Sequence, residues 1–365
     1  MEKELLNFIA LSMTPHVGPV TAKELIKNIG SAEQVLQSSE SKLMRVAGVG
    51  PGTAKEIKQN NLLERAKQEL KFVEKHSINI YAINSELYPS RLKRCSDSPV
   101  LLYVKGNTNL DSKHVIAIVG SRMATDYGRG ICKEFIQEIK AYNPLIISGL
   151  AYGIDICAHK EALYAGLQTV AVVGHGLDRI YPSSHKQIAM DIIDQGALLT
   201  EFHSEVKPDR ENFPARNRII AGMSDAVVVV EAREQGGALI TADMANSYNR
   251  DVFAFPGRVH DTQSKGCIGL IKNNLAQLIC NGREMVEALA WDEISNTNIQ
   301  RKMFINLSEE ENSIVQFLIR QNMHTHFDDL LSYFEWKSSK MATILLQLEF
   351  SGIIKALPGK MYRLC

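Results

Sequence analysis

Val115–Gly130 reads VIAIVGSRMATDYGRG, and its first five residues decide the fold. An unbroken apolar run, Val115–Val119, suits a strand buried on both faces of a parallel sheet, since one wet face would impose alternation. The run stops at Gly120-Ser121-Arg122. Thr125 and Asp126 then offer helix N-caps before an amphipathic stretch through Ile131, Phe135, Ile136 and Ile139. A strand feeding a glycine turn and a helix start makes an anion site, because unpaired backbone N–H groups and the helix dipole converge there. Arg122 adds a guanidinium able to grip a phosphate through two parallel hydrogen bonds.

Downstream, strand-like runs recur at Leu145–Ile147, Val170–Val173, Leu198–Leu199, Ala226–Val230 and Val252–Phe255, with helical patterns between most of them. The alternation predicts an α/β class: a Rossmann-like, mostly parallel sheet with ligands at the strand C-ends. Upstream, Tyr81–Asn107 reads as a connecting loop and an extra strand at Val100–Val104. The C-ends resemble one another: Gly-Ser-Arg (120–122), Ser-Gly-Leu-Ala-Tyr-Gly-Ile-Asp (148–155), Gly-His-Gly (174–176) and Glu-Ala-Arg-Glu-Gln-Gly-Gly-Ala (231–238), with Pro256-Gly257 after the last. Small residues there let phosphates approach the backbone closely. The run Asn212–Ile220 places Arg216 and Arg218 at a helix start. Together these features predict an anion-binding cleft.

Dinucleotides and ATP fit it poorly. There is no GxGxxG and no GxxxxGK[ST], and the second strand ends in Ser148-Gly149 rather than an acidic residue that would hold a ribose. No cofactor is therefore expected. Asp155, His159, His175, His185 and His203 lie near strand C-ends and are candidates for acid–base or metal chemistry. HExxH and paired cysteines are absent, so structural roles are expected and no metal.

Two flanking segments frame this sheet. Val17-Gly18-Pro19-Val20-Thr21-Ala22-Lys23-Glu24-Leu25 recurs as Val49-Gly50-Pro51-Gly52-Thr53-Ala54-Lys55-Glu56-Ile57. Each copy is a Gly/Pro hairpin opening a helix, so residues 1–78 resemble a tandem helix-hairpin-helix (SAM-like) domain. Gly18, Lys23, Gly48, Gly50 and Lys55 are its candidates for weak DNA contact. Residues 79–290 form the extended sheet domain and 291–305 a linker. Residues 306–365 give three helical patterns (Glu309–Arg320, Phe327–Phe334, Ser338–Phe350) and two strands around Pro358-Gly359, a winged-helix-like module. Only Lys337 and Lys340 mark the start of its last helix, which favours protein contact over duplex reading.

Composition narrows the partners. The chain has 365 residues, and its 41 Lys and Arg balance 41 Asp and Glu, so a polyanion needs a local basic patch. No apolar run is long enough to span a bilayer, and the N-terminus reads as an amphipathic helix rather than a signal peptide. Six scattered cysteines fit a reducing cytoplasm.

The set IVGSR (118–122), SGLAYGID with Ala158-His159, GxGxxxxYP (174–182), FPARNRIIAGMS (213–224), VVEAREQGGALITA (229–242) and FPG (255–257) resembles the DNA processing protein A (DprA, or Smf) family. The upstream Tyr88-Pro89 and Pro99–Tyr103 also match, so the resemblance covers roughly residues 80–280. It implies a protein that is not an enzyme, binds single-stranded DNA, forms a homodimer and loads RecA recombinase during natural transformation. Its implied DNA-binding set is Gly120, Ser121, Arg122, Gly149, Lys186, Asn212, Arg216, Asn217, Arg218, Gly236 and Gly237. Of these, Arg122, Arg216, Arg218 and Lys186 would neutralise phosphates. Two departures stand out: Ile268 replaces a family Asn, and Thr200-Glu201 replaces the usual Ser-Glu. The alternative is a nucleoside-monophosphate hydrolase of the lysine-decarboxylase-like type. Gly236-Gly237 and Asp243 match its motif loosely, but Leu239 and Ile240 replace its Gly-Thr.

Overall fold

A computed structural model describes residues 2–58, 61–291, 307–321 and 324–364. Most of the expected 291–305 linker lies outside the described residues. The chain divides into two compact units, Met1–Leu278 and Ile279–Cys365.

The first unit is built on nine described strands: β1 (Asn79–Ala82), β2 (Leu101–Gly106), β3 (Val115–Val119), β4 (Leu145–Ser148), β5 (Thr169–Val172), β6 (Ala197–Thr200), β7 (Ala226–Val229), β8 (Asp251–Ala254) and β9 (Gln277–Leu278). They lie in the order β1-β2-β6-β5-β4-β3-β7-β8-β9. From β6 to β9 every pairing is parallel, whereas β2 runs antiparallel to both β1 and β6. All residues of β3, β4, β5, β6 and β7 are buried, including Ser148, Thr169 and Thr200 at the ends of their apolar runs. The chain proceeds from β3 through β4 and β5 to β6, then returns to place β7 on the other side of β3. That reversal opens a crevice above the C-ends of β3 and β7, the usual ligand position in such sheets. The edge strands β1 and β9 carry little apolar pattern, β1 being short and only partly buried and β9 two exposed residues.

The helical segment is not a separate body. Helices Pro19–Ile29 and Pro51–Ile57 each open on a glycine cap with proline in the first turn, so the repeat is also structural. Their buried faces, Ala22 with Leu25 and Ala54 with Ile57, join one cluster with Ala82, Val100 and Leu101 of the sheet's antiparallel edge. Along β2 the side chains alternate between cores. Leu101 packs with the helices and Tyr103 with Val73 and Ile78, while Leu102 and Val104 face the main sheet core.

In the second unit, helices Glu309–Gln321, Phe327–Phe334 and Ser338–Phe350 are followed by the hairpin β11 (Ile354–Leu357) and β12 (Met361–Leu364), with β10 (Thr325–His326) completing a three-stranded sheet. Gly359 takes a φ of 76° in the hairpin loop, where a Cβ would be strained. Among the described residues no helix is long and apolar enough to cross a membrane.

His159 illustrates how the interior treats charge. It is fully buried, with Nδ1 2.7 Å from Thr169 Oγ1, and that hydroxyl donates onward to the Ile146 carbonyl at 2.9 Å. Nδ1 therefore carries the proton, and burial, with Arg216 nearby, lowers the pKa to about 3. Unfolded chain accepts a proton near pH 6.5 that the folded state refuses, so this contribution is complete above 6.5 and is lost as pH falls towards 3. Urea unfolding between pH 6.5 and 4 should lose about 1.4 kcal/mol per pH unit more in the wild type than in His159→Asn, whose amide never titrates.

Candidate functional site

Glu231 follows β7 and sits beside the turn after β3. Its backbone carbonyl accepts from Ser121 N–H at 2.7 Å, while its carboxylate accepts from Thr125 N–H at 2.9 Å and from the Thr125 hydroxyl. Gly128 leaves room for it, since a Cβ there would come within 2.3 Å of the carboxyl group. The helix Asp126–Ile139 thus already holds an anion at its N-terminus, one supplied by the protein. The sequence expectation of a free helix start for an external anion is corrected on this point.

The turn instead projects Arg122 outward. Its guanidinium lies 5.2 Å from the centroid of the Phe213 ring, and Arg216 approaches the same ring at 6.0 Å. The Tyr181 ring, 47% exposed, stands 6.2 Å from Phe213. Ser121 Oγ lies 2.7 Å from the Gln263 carboxamide, whose oxygen faces Arg233 Nε at 3.0 Å. Arg233 is an exposed cation next to Arg122 that sequence reasoning left off its list. The signal was available, because Arg233 stands in the Glu231–Ala238 turn already read as a strand C-end.

Arg216 is only 4% exposed. Its guanidinium lies against Gly149, where a Cβ would sit 1.3 Å from Nη1. Gly149 therefore admits an arginine, whereas the sequence suggested that it admits a phosphate. Asp155 Oδ2 is 3.8 Å from Arg216 Nη1, and Arg216 Nε has no partner. Burial raises the Asp155 pKa and lowers that of Arg216, and each group opposes the other's shift.

Arg218 does not join the cleft. It is 7% exposed, donating to Glu201 Oε2 and to the Asp97 carbonyl. Two residues along a helix lie about 200° apart, so Arg216 and Arg218 point to opposite sides. Asn217 ties the helix Asn212–Met223 to the Gly237 carbonyl at 3.2 Å, and Asn212 donates to the Lys207 carbonyl at 3.2 Å. Gly236 and Gly237 are exposed at an open helix start, and Lys186 is exposed on the first turn of helix Lys186–Gln195. In the first hairpin Lys23 is turned inward, donating to the Cys95 carbonyl at 2.9 Å and to Ser98 Oγ at 3.1 Å. Lys55, its counterpart in the repeat, is exposed, and Gly18 and Gly50 are open. Gly48 takes a φ of 83° ahead of the second hairpin.

The histidines near the strand ends brace turns. His175 Nδ1 bonds the Gly176 carbonyl at 2.9 Å and its Nε2 accepts from Tyr181 N–H at 3.3 Å. His185 Nδ1 bonds the Leu150 carbonyl, and His203 Nδ1 that of Ser204. Among the described residues no group of three or more His, Cys, Asp or Glu is placed to hold a metal ion.

Comparison with known proteins agrees with this architecture. The family described as DNA recombination-mediator protein A matches residues 79–290, and a SAM-like helix-hairpin-helix tandem matches 8–59. Protein Smf of Escherichia coli is 34% identical over 82% of this chain and 80% of its own length. DNA processing protein DprA of Streptococcus pneumoniae is 41% identical over 56% of this chain and 72% of its own. The X-ray structure of the S. pneumoniae protein superposes with a TM-score of 0.64 at 33% identity, covering 77% of this chain and 97% of that one. A Helicobacter pylori DprA structure, described by its single-stranded DNA binding mode, gives 0.54 at 29% identity, over 59% and 96%. With the sheet order, the glycine turns and the family match in agreement, the chain belongs to the DNA recombination-mediator protein A (DprA/Smf) family.

Proposed function

We propose that the chain binds the backbone of single-stranded DNA along the C-ends of β3, β4 and β5, without catalysing a reaction on it. One observation carries this reading: the exposed Arg122 guanidinium held over the Phe213 ring, with Tyr181 beside it. A cation next to an accessible aromatic pair can take a phosphate and stack a base at once, the combination that binds single strands without sequence preference. Arg233, Lys186 and the open Gly236-Gly237 helix start extend the positive edge. Arg216 contributes from beneath as a buried positive charge. Family membership supports the finer parts of the proposal: a cytoplasmic homodimer that hands incoming single strands to RecA in natural transformation, with the winged-helix-like second unit making a protein contact.

Charge readout separates the arginines. Arg122→Ala should weaken single-strand binding by about 1–3 kcal/mol and flatten the log K against log salt plot by about 0.7, one phosphate's worth. Arg122→Lys should restore the slope but only part of the affinity. Arg218→Ala should leave the slope alone and lower thermal stability, because it strips a buried carboxylate of its partner. Anisotropy titrations at several salt concentrations, with melting curves for each variant, check these outcomes. An unchanged slope in Arg122→Ala would overturn the backbone reading.

Stacking is tested apart from charge. Phe213→Ala should cost about 1–3 kcal/mol of single-strand affinity with the salt slope unchanged, and Phe213→Tyr should retain most of the affinity. The same titrations decide the point.

A further inference from the structure

We infer that Gln263 is a positioning residue for the phosphate contacts. Its carboxamide turns the Ser121 hydroxyl proton outward and holds Arg233 beside it, so that the two act together as donors to the backbone of the bound strand. The inference rests on the single-strand reading above and adds to it a buried residue from a third strand end.

Three neighbouring strand ends meet at this carboxamide. Ser121 follows β3, Arg233 follows β7, and Gln263 lies on the loop after β8, where it is 7% exposed. That loop is fixed to its neighbour. Gly266 N–H donates to the Ala232 carbonyl at 2.8 Å, and a Cβ on Gly266 would come within 2.3 Å of the Arg233 carbonyl oxygen. Asp261 Oδ1 accepts from Gln263 N–H at 3.1 Å, which holds the backbone at Gln263 itself.

Counting donors and acceptors gives the direction of each bond. A guanidinium only donates, so the carboxamide oxygen is the atom that faces Arg233, accepting from Nε at 3.0 Å and from Nη2 at 3.1 Å. The carboxamide nitrogen is then the atom 2.7 Å from Ser121 Oγ, and it donates. Met123 N–H donates to the same hydroxyl oxygen at 3.1 Å. A hydroxyl has two acceptor sites and one proton. Both acceptor sites of Ser121 are therefore filled from within the protein, and its proton has no acceptor among the described residues. Ser121 is half-buried at the cleft and Arg233 is exposed, so an acceptor from outside can reach both. Arg233 Nη1 takes no part in the bonds to Gln263. A phosphodiester offers acceptors and no donor, so it matches groups arranged only to donate. With the hydroxyl already turned, the strand does not have to reorient it on binding.

The test is oligo-dT binding to the full-length protein, followed by fluorescence anisotropy in the wild-type and Ser121→Ala backgrounds. Gln263→Glu puts an acceptor where the carboxamide donates. It should draw the Ser121 proton inward, pair with Arg233 and weaken binding about tenfold, with the melting temperature kept because the shape and the bond to Arg233 survive. In Ser121→Ala, which has no proton to withdraw, the same substitution should cost only about threefold. Gln263→Leu removes the positioning without adding charge and should weaken binding about threefold at an unchanged salt slope. An equal loss from Gln263→Glu in both backgrounds would mean that its charge alone acts, and would overturn the inference. Wild-type affinity in Gln263→Leu would overturn it too, and either result leaves the single-strand reading standing. A wild type that does not bind oligo-dT would overturn both.

Discussion

The site depends first on where Glu231 puts its charge. The residue is 1% exposed, and its carboxylate is spent on the Thr125 end of the helix after β3. A carboxylate at a helix N-terminus is favourable there because it meets unpaired N–H groups and the positive end of the dipole. With that position filled, an external phosphate cannot use the cradle of backbone N–H groups that dinucleotide-binding sheets offer at the same turn. On the function proposed above, binding falls instead to side chains, namely Arg122 and Arg233 over the turn and Phe213 opposite. The absence of GxGxxG and the presence of a buried Glu231 are thus two sides of one arrangement.

The second constraint is the helix Asn212–Met223, which distributes charge to both of its sides. Arg216 faces the cleft, pressed against a glycine that gives it room, while Arg218 faces inward and meets Glu201. Asn217, between them, fastens the helix to the Gly237 carbonyl. Each guanidinium is buried next to a carboxylate, so the helix carries two charges into the protein without leaving either isolated.

Much of this was legible in the residues. Six apolar runs became six parallel strands, because a strand buried on both faces has no polar alternation to hide it. The glycine-rich turns do follow the C-ends of β3, β4 and β5, as the residues suggest. The fate of individual cations was not legible, because it depends on partners distant in sequence. Lys23 and Lys55 occupy the same place in a nine-residue repeat, yet one meets Cys95 and Ser98 while the other is exposed. Arg218 was grouped with the phosphate ligands because it lies two positions from Arg216, and only helical geometry with Glu201 and Asp97 in place sends it the other way. Nor did residues 1–78 show that their core runs on into Val100 and Leu101.

Strand β2 gives that shared core a further meaning. Its odd-numbered side chains face the N-terminal helices (Leu101) and the opposite face of the sheet (Tyr103), and its even-numbered ones, Leu102 and Val104, face the main sheet core. Parity along this ribbon is therefore a piece of information held by two neighbourhoods at once. A lineage that gained or lost one residue here would turn the ribbon over and unseat both, while a change of two would keep the faces but slide them against β1 and β6. An insertion or deletion that kept both faces in place would have to fall in the connections on either side, where no pairing register is at stake.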